Sequence, residues 1–136
     1  MPFVVDASLT MSWCFEDEVD PRAERALDLL RRERAHVPAI WVLEVANVLL
    51  VGERRGRLTD AQGTQFLDLL SSLPIEVEPL DRLRTWNSVV ALAKRHSLSA
   101  YDAAYLELAA RLGLSLAAAD GKLRAVAPAA GVVLLD

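Results

Sequence analysis

The chain has 136 residues, 53% of them hydrophobic, and a formal net charge of -4 at pH 7. This length predicts a single domain over residues 1–136 with a sizeable core, and the negative charge argues against a general nucleic-acid coat protein. One cysteine, Cys14, excludes an internal disulfide, and the two distant histidines do not suggest a zinc site. No apolar run approaches the roughly 18 residues of a membrane span, so we expect a soluble, cytoplasmic protein.

The N-terminal half predicts two strands separated by helices. Apolar β-branched and aromatic runs indicate the strands, and aspartate, serine and proline mark the helix starts. In chain order these elements are a strand over Phe3–Asp6, a short helix capped by Ser8 and ending at Trp13, a helix from Asp20-Pro21 to about Ala35, a brief strand at His36–Val37, and an apolar helix from about Ile40 to Arg55 that Gly56 stops.

The C-terminal half continues the alternation of helices and strands. Thr59 to Gln62 is a capping-box pattern, and Asp81 and Ser99 are further cap candidates. The predicted elements are a helix with Phe66, Leu69 and Leu70 on its inner face, a strand over Ile75–Glu78, a helix from Asp81 to about His96, a helix from Ser99 to Leu112, a strand over Leu114–Ala119, a turn or short helix over Gly121–Ala125, and a last strand over Val132–Leu135.

These elements predict an α/β fold. Apolar strands that lack alternation and are separated by helices are typical of a parallel sheet covered on both faces. We therefore expect three layers, with a central sheet of about four to five short strands.

Four carboxylates occupy positions where an acid is costly. Asp6 and Asp120 each follow a predicted strand, so they would share one crevice if those strands are neighbours. Asp102 lies in the first turn of a helix, at the same edge of the sheet, and Glu44 interrupts an almost wholly apolar helix. If all four came within about 6 Å, their repulsion would total roughly 15 kcal/mol. Such an arrangement favours a site for Mg²⁺ or Mn²⁺.

Structural roles remain open for some of these acids. Asp102 also completes a capping box with Ser99, and Asp120 also fits a cap or turn before Gly121. A buried glutamate without a partner is rare, which makes Glu44 the most telling of the four. Asn47, three residues later on the same face, is a candidate to orient Glu44 or a water.

Around these residues the chain resembles the PIN-domain ribonucleases, and more narrowly the VapC-type toxins of type II toxin-antitoxin systems. The segments that carry the resemblance lie in order along the whole chain: Val4-Val5-Asp6-Ala7-Ser8, Leu43 to Leu49 around Glu44, Ala100-Tyr101-Asp102-Ala103-Ala104-Tyr105, and Leu116 to Leu123 around Asp120. One such motif is weak, whereas four in order with this spacing are specific.

The resemblance implies a metal-dependent endoribonuclease in which Asp6, Glu44, Asp102 and Asp120 hold Mg²⁺ or Mn²⁺, directly or through water. Ser8, like Asn47, would be a supporting residue, donating to a carboxylate or to water. The resemblance also implies an RNA substrate, an antitoxin protein that covers the site, and a homodimer. The aromatic residues that could form the required apolar surface are Trp13, Phe15, Trp41 and Trp86, although core packing explains most aromatic side chains.

Two departures leave an alternative open. Ala118 stands where this family commonly has a hydroxyl residue, and no lysine is found near Ser12. The alternative is a catalytically silent PIN-like module that binds RNA or protein. A receiver-like domain and a haloacid-type phosphatase are disfavoured, because Asp6 lacks the adjacent or nearby second aspartate that each requires.

Overall fold

A four-stranded parallel sheet, in the order β3-β2-β1-β4, forms the centre of the computed structural model, which describes all 136 residues. Its strands are β1 (Phe3–Val5), β2 (Ala35–Pro38), β3 (Ile75–Glu78) and β4 (Ser115–Ala117). All three strand pairs are parallel, and helices surround the sheet. The predicted α/β class, with its short parallel strands, is confirmed.

The helices follow the strands as the alternating pattern predicted. They are α1 (Ala7–Met11), α2 (Pro21–Leu29), α3 (Ile40–Arg54), α4 (Asp60–Ser72), α5 (Arg82–Arg84), α6 (Val90–His96), α7 (Ala100–Leu112) and α8 (Gly121–Val126), with a π-helical segment over Thr85–Val89 between α5 and α6 and a 3-10 turn over Ala127–Ala130. None of them is long and apolar enough to cross a membrane.

Side-chain caps set several helix starts, as expected from the sequence. Asp20 accepts a hydrogen bond from the Arg22 N–H, with Pro21 in the first helical turn. Thr59 forms a capping box in α4, and Asp81 and Ser99 each accept from the backbone N–H three residues later. These bonds satisfy amide groups that the helix itself leaves unpaired.

The first helix differs from its prediction. Asp6 caps α1 through a 2.8 Å hydrogen bond from the Leu9 N–H to its Oδ1, whereas Ser8 lies inside the helix and is exposed. The expected cap at Ser8 is therefore wrong, because the chain turns into a helix directly after β1. This helix ends at Met11, and α2 ends at Leu29 rather than near Ala35.

The last predicted strand is reduced to one bridge. Leu134 pairs in parallel with Leu116, and the Leu135 N–H donates to the Leu116 carbonyl at 2.9 Å. The chain adopts a 3-10 turn up to Ala130 and a left-handed Gly131, so only this short contact extends the sheet. Strand β4 is also shorter than expected, since it ends at Ala117 and the N–H groups of Ala119 and Asp120 donate to the Asp6 side chain.

The core contains 31 buried hydrophobic residues, centred on β1 and α7. All three residues of β1 are buried because the strand has neighbours on both sides, while Leu106 and Leu108 of α7 are almost inaccessible. Leu69 was expected on the inner face of α4, but it is 42% exposed; Phe66 and Leu70 form that face.

The strand order reverses next to β1. The chain passes from β1 to β2 and β3 in one direction, and β4 then returns to the other side of β1. Val5 pairs with Ala117, so the residues that follow the two strands meet at one edge of the sheet. A crevice beyond such a reversal is the usual ligand site of an open parallel sheet.

Candidate metal centre

Asp6 lies at the end of β1 and is held by backbone N–H groups. Its Oδ1 accepts from Leu9, and its two oxygens accept from Ala119 and Asp120 at 3.2 to 3.3 Å. The side chain is only 3% exposed. Burial raises the pKa of Asp6 to about 6, since the loss of hydration outweighs these hydrogen bonds, and repulsion from Asp120 acts in the same direction.

Asp120 lies beside Asp6 at the end of the neighbouring segment. It caps α8, with its Oδ1 accepting from the Leu123 N–H at 2.8 Å. Its own N–H donates to Asp6. The sequence predicted that these two carboxylates would share one crevice, and the pairing of β1 with β4 brings them there.

Glu44 lies about one turn into α3 and is half-buried. The Tyr105 hydroxyl donates to its Oε1 at 2.5 Å. Burial raises the pKa of Glu44 and repulsion from Asp102 adds to the rise, while the hydrogen bond from Tyr105 opposes both. The sequence predicted a buried glutamate, whereas Glu44 is half-buried and its apolar neighbours Val42 and Leu43 are 49% and 68% exposed.

Asp102 lies in the first turn of α7, where its N–H donates to the Ser99 hydroxyl at 3.1 Å. Burial raises the pKa of its carboxyl, and repulsion from Asp120 raises it further. Ser99 and the exposed Lys122 lower it. Asp102 therefore lies at the helix start, as expected of a capping acid, and is also repelled by the carboxylate of Asp120.

The four acids act on one another in a chain of repulsions. Asp6 and Asp120 repel, as do Asp120 and Asp102, and Asp102 and Glu44. No three acidic, histidine or cysteine side chains stand in an arrangement that would hold a metal ion directly. The structure thus brings the acids to one edge of the sheet without closing them into a compact ligand set.

The donor set of these acids suits a hard cation. None of the four makes an ion pair with a lysine, arginine or histidine. Glu44 Oε2 and Asp120 Oδ2 accept no protein hydrogen bond and are not buried, so they stay open to solvent. Accessible carboxylate oxygens are the ligands that Mg²⁺ and Mn²⁺ prefer.

The two predicted supporting residues make no hydrogen bond to these acids. Ser8 and Asn47 are both exposed, and the Ser8 backbone carbonyl rather than its hydroxyl accepts a bond, from Ser12. Their roles toward a carboxylate or a bound water stay predictions.

A buried network around Asp6 escaped the sequence analysis. Thr10 Oγ1 donates to the Asp6 carbonyl at 2.8 Å and accepts from Trp41 Nε1 at 3.0 Å. It thereby ties the end of β1 to the start of α3, one turn before Glu44. The four-residue spacing from Asp6 to Thr10 was a usable signal, because a helical threonine commonly bonds the carbonyl four residues earlier.

Comparison with known proteins agrees with this geometry. The family model described as PIN domain matches residues 3–128. Ribonuclease VapC3 of Pyrobaculum aerophilum is 31% identical over 129 residues, which cover 95% of this chain and 97% of that protein.

Two solved structures have the same fold. One is PAE2754 from Pyrobaculum aerophilum, with a TM-score of 0.71 and 26% identity over 92% of this chain and 84% of that one. A toxin-antitoxin complex from Klebsiella pneumoniae aligns with a TM-score of 0.58 and 16% identity, covering 84% of this chain and 82% of that one. Because the family model and the P. aerophilum ribonuclease both match nearly the whole chain, the chain belongs to the PIN-domain family and, within it, to the VapC group.

Proposed function

We propose that this protein is a Mg²⁺- or Mn²⁺-dependent endoribonuclease that hydrolyses RNA phosphodiester bonds and acts as the toxin of a toxin-antitoxin pair. One observation carries the proposal: four acids lie near one edge of the sheet and repel one another in sequence, none is paired with a basic side chain, and burial raises the pKa of three of them. The name of the P. aerophilum relative supports the ribonuclease assignment.

The residues that would hold the cation are Asp6, Glu44, Asp102 and Asp120. Mg²⁺ usually keeps several waters and takes only one or two carboxylates, so a closed ligand set is not required. When bound, the ion would supply Lewis acidity at the scissile phosphate. The backbone N–H groups that hold Asp6 would keep its carboxylate oriented before the ion arrives.

Substrate binding next to these acids requires positive charge. Lys122 follows Asp120-Gly121, is exposed, and acts electrostatically on Asp102. An exposed ammonium group at this position would bind an RNA phosphate and hold the strand against the acidic crevice.

The proposal is tested by RNA cleavage with Mg²⁺ and with chelator. Glu44→Gln should lower the cleavage rate by about 100-fold or more, since it removes one of the charges that face the cation. Glu53→Gln is the matched control, because Glu53 is an exposed glutamate on the same helix. It should keep wild-type activity.

The catalytically silent binding module makes the opposite prediction. A wild-type protein that binds RNA or a partner protein without Mg²⁺-dependent cleavage would support that alternative. If Glu44→Gln and Glu53→Gln cleaved RNA at the same rate, Glu44 would not be a residue of the active site.

An antitoxin partner and a homodimer complete the proposal. The solved toxin-antitoxin neighbour supports the first, and a basic side chain of the antitoxin would suit the unpaired acids. Of the four aromatic residues considered for an interface, Phe15 and Trp41 are buried in the core, whereas Trp86 is 65% exposed beside Leu83 at 66%. Sedimentation of the wild type and of Trp86→Glu would test whether this face supports the dimer.

A further inference from the structure

The side chain of Tyr105 lies where three of the acidic segments meet. It is on α7, one turn after Asp102, and only 1% of it is exposed. Its hydroxyl donates to Glu44 Oε1 on α3. The backbone N–H of Ala7, the residue after Asp6, opposes the rise in the Tyr105 pKa that burial and Glu44 cause.

Core packing explains the ring of Tyr105 but not its hydroxyl. A phenylalanine would fill the same space, and a buried hydroxyl is favourable only if it finds a partner. Here the partner is a carboxylate of the candidate metal centre. The bond occupies Oε1 of Glu44, while Oε2 has no protein donor and stays open to solvent.

We propose that Tyr105 is a positioning residue that fixes the Glu44 carboxylate so that its free oxygen faces the divalent cation. The inference rests on the proposed metal-dependent function. A half-buried glutamate side chain has several rotamers, and a short hydrogen bond from a rigid, buried ring selects one of them. The hydroxyl also links α7, which carries Asp102, to α3, so two of the acids are placed relative to each other.

The test is the affinity for Mn²⁺, measured by electron paramagnetic resonance on the full chain. Tyr105→Phe keeps the ring and removes only the hydroxyl, so it should raise the Kd for Mn²⁺ about 10- to 100-fold, as loss of an outer-shell partner typically does. Tyr101→Phe is the matched control on the same helix. Tyr101 is 60% exposed and its hydroxyl makes no protein hydrogen bond, so its Kd should equal that of the wild type.

A merely structural role gives a different result. Tyr105→Phe would then lower the urea midpoint in chelator while binding Mn²⁺ as tightly as the wild type, which would overturn the inference. If the wild type itself binds no Mn²⁺, the metal assignment fails as well, so the two failures can be told apart.

A second measurement needs no variant that could misfold. In the wild type, the buried hydroxyl proton of Tyr105 should give a slowly exchanging proton resonance in NMR spectra. Its chemical shift should change on addition of Mg²⁺, because the carboxylate that accepts it gains a cation. A resonance that does not respond to saturating Mg²⁺ would contradict the proposal.

Discussion

Replacing Asp6 with asparagine tests whether the buried Asp6 carboxylate carries a charge that is unfavourable in the folded protein. The pKa of Asp6 is raised from its ordinary value of 3.8 to about 6, mainly by burial. Between these values the unfolded chain releases a proton that the folded protein keeps. The stability contributed by protonated Asp6 is therefore complete below pH 3.8 and lost as pH rises through about 6. The asparagine side chain of Asp6→Asn does not titrate, so the variant does not lose this stability as pH rises.

The magnitude follows from the same pKa difference. At about 1.36 kcal/mol per pKa unit, the wild type should lose roughly 2.5 kcal/mol of unfolding free energy relative to Asp6→Asn between pH 4 and pH 8. The asparagine NH₂ group faces the N–H groups of Ala119 and Asp120, which costs about 1 to 3 kcal/mol. That cost does not depend on pH, so it changes the stability difference between the wild type and Asp6→Asn by the same amount at every pH.

Urea denaturation in chelator from pH 4 to pH 8 measures the difference directly. Asp20→Asn is the control, because Asp20 also caps a helix but has its pKa lowered by its hydrogen bonds from Arg22. The stability that Asp20 contributes is present above its ordinary pKa of 3.8 and is lost only as pH falls below that value, so the stability difference between the wild type and Asp20→Asn should stay nearly constant from pH 4 to pH 8. A stability difference for Asp6→Asn that stays constant with pH would refute the reasoning.

Three further predictions concern packing and ligand binding. Gly52→Ala should destabilise the protein by about 1 to 3 kcal/mol in urea denaturation, because the added Cβ would clash with Leu58 and lie 3.2 Å from Phe15. Gly63→Ala in α4 is the contrasting variant: its Cβ would make only an ordinary contact, so the higher helix propensity of alanine should stabilise the protein by up to about 1 kcal/mol. Thr10→Val should cost about 1 to 3 kcal/mol by the same measurement, since it leaves Trp41 Nε1 buried without an acceptor. Mg²⁺ at 100 times its Kd should stabilise the wild type by about 2.7 kcal/mol at pH 8 in calorimetry, and Asp6→Asn by less; equal stabilisation of both would argue against Asp6 as a ligand.

The parts of the fold predicted correctly are those with strong local signals. Cap residues and glycine stops fixed most helix ends, as at Thr59, Ser99 and Gly113. The resemblance and the positions of the acids after strands also indicated the crevice, because parallel strands place their carboxyl ends at one edge. The caps and glycine stops lie within a few residues of the feature that they predict, whereas the resemblance depends on four motifs spread along the whole chain.

Most of the site contacts that the sequence did not reveal join distant segments. The N–H groups of Ala119 and Asp120, which donate to the Asp6 carboxylate, lie 113 and 114 positions away along the chain. Likewise, the bond from Tyr105 to Glu44 joins residues 61 positions apart. A local pattern contains no information about such a partner.

A comparison within the chain separates a structural cap from a site acid. Asp20 and Asp6 both cap helices, but Asp20 also binds the guanidinium of Arg22 through both oxygens, at 3.0 and 2.9 Å. That cation cancels the charge of Asp20 and lowers its pKa. Asp6 is held by backbone N–H groups alone, which orient a carboxylate without adding a net positive charge. Its negative charge is therefore fixed in place but not neutralised, which is the condition that lets a mobile cation bind there.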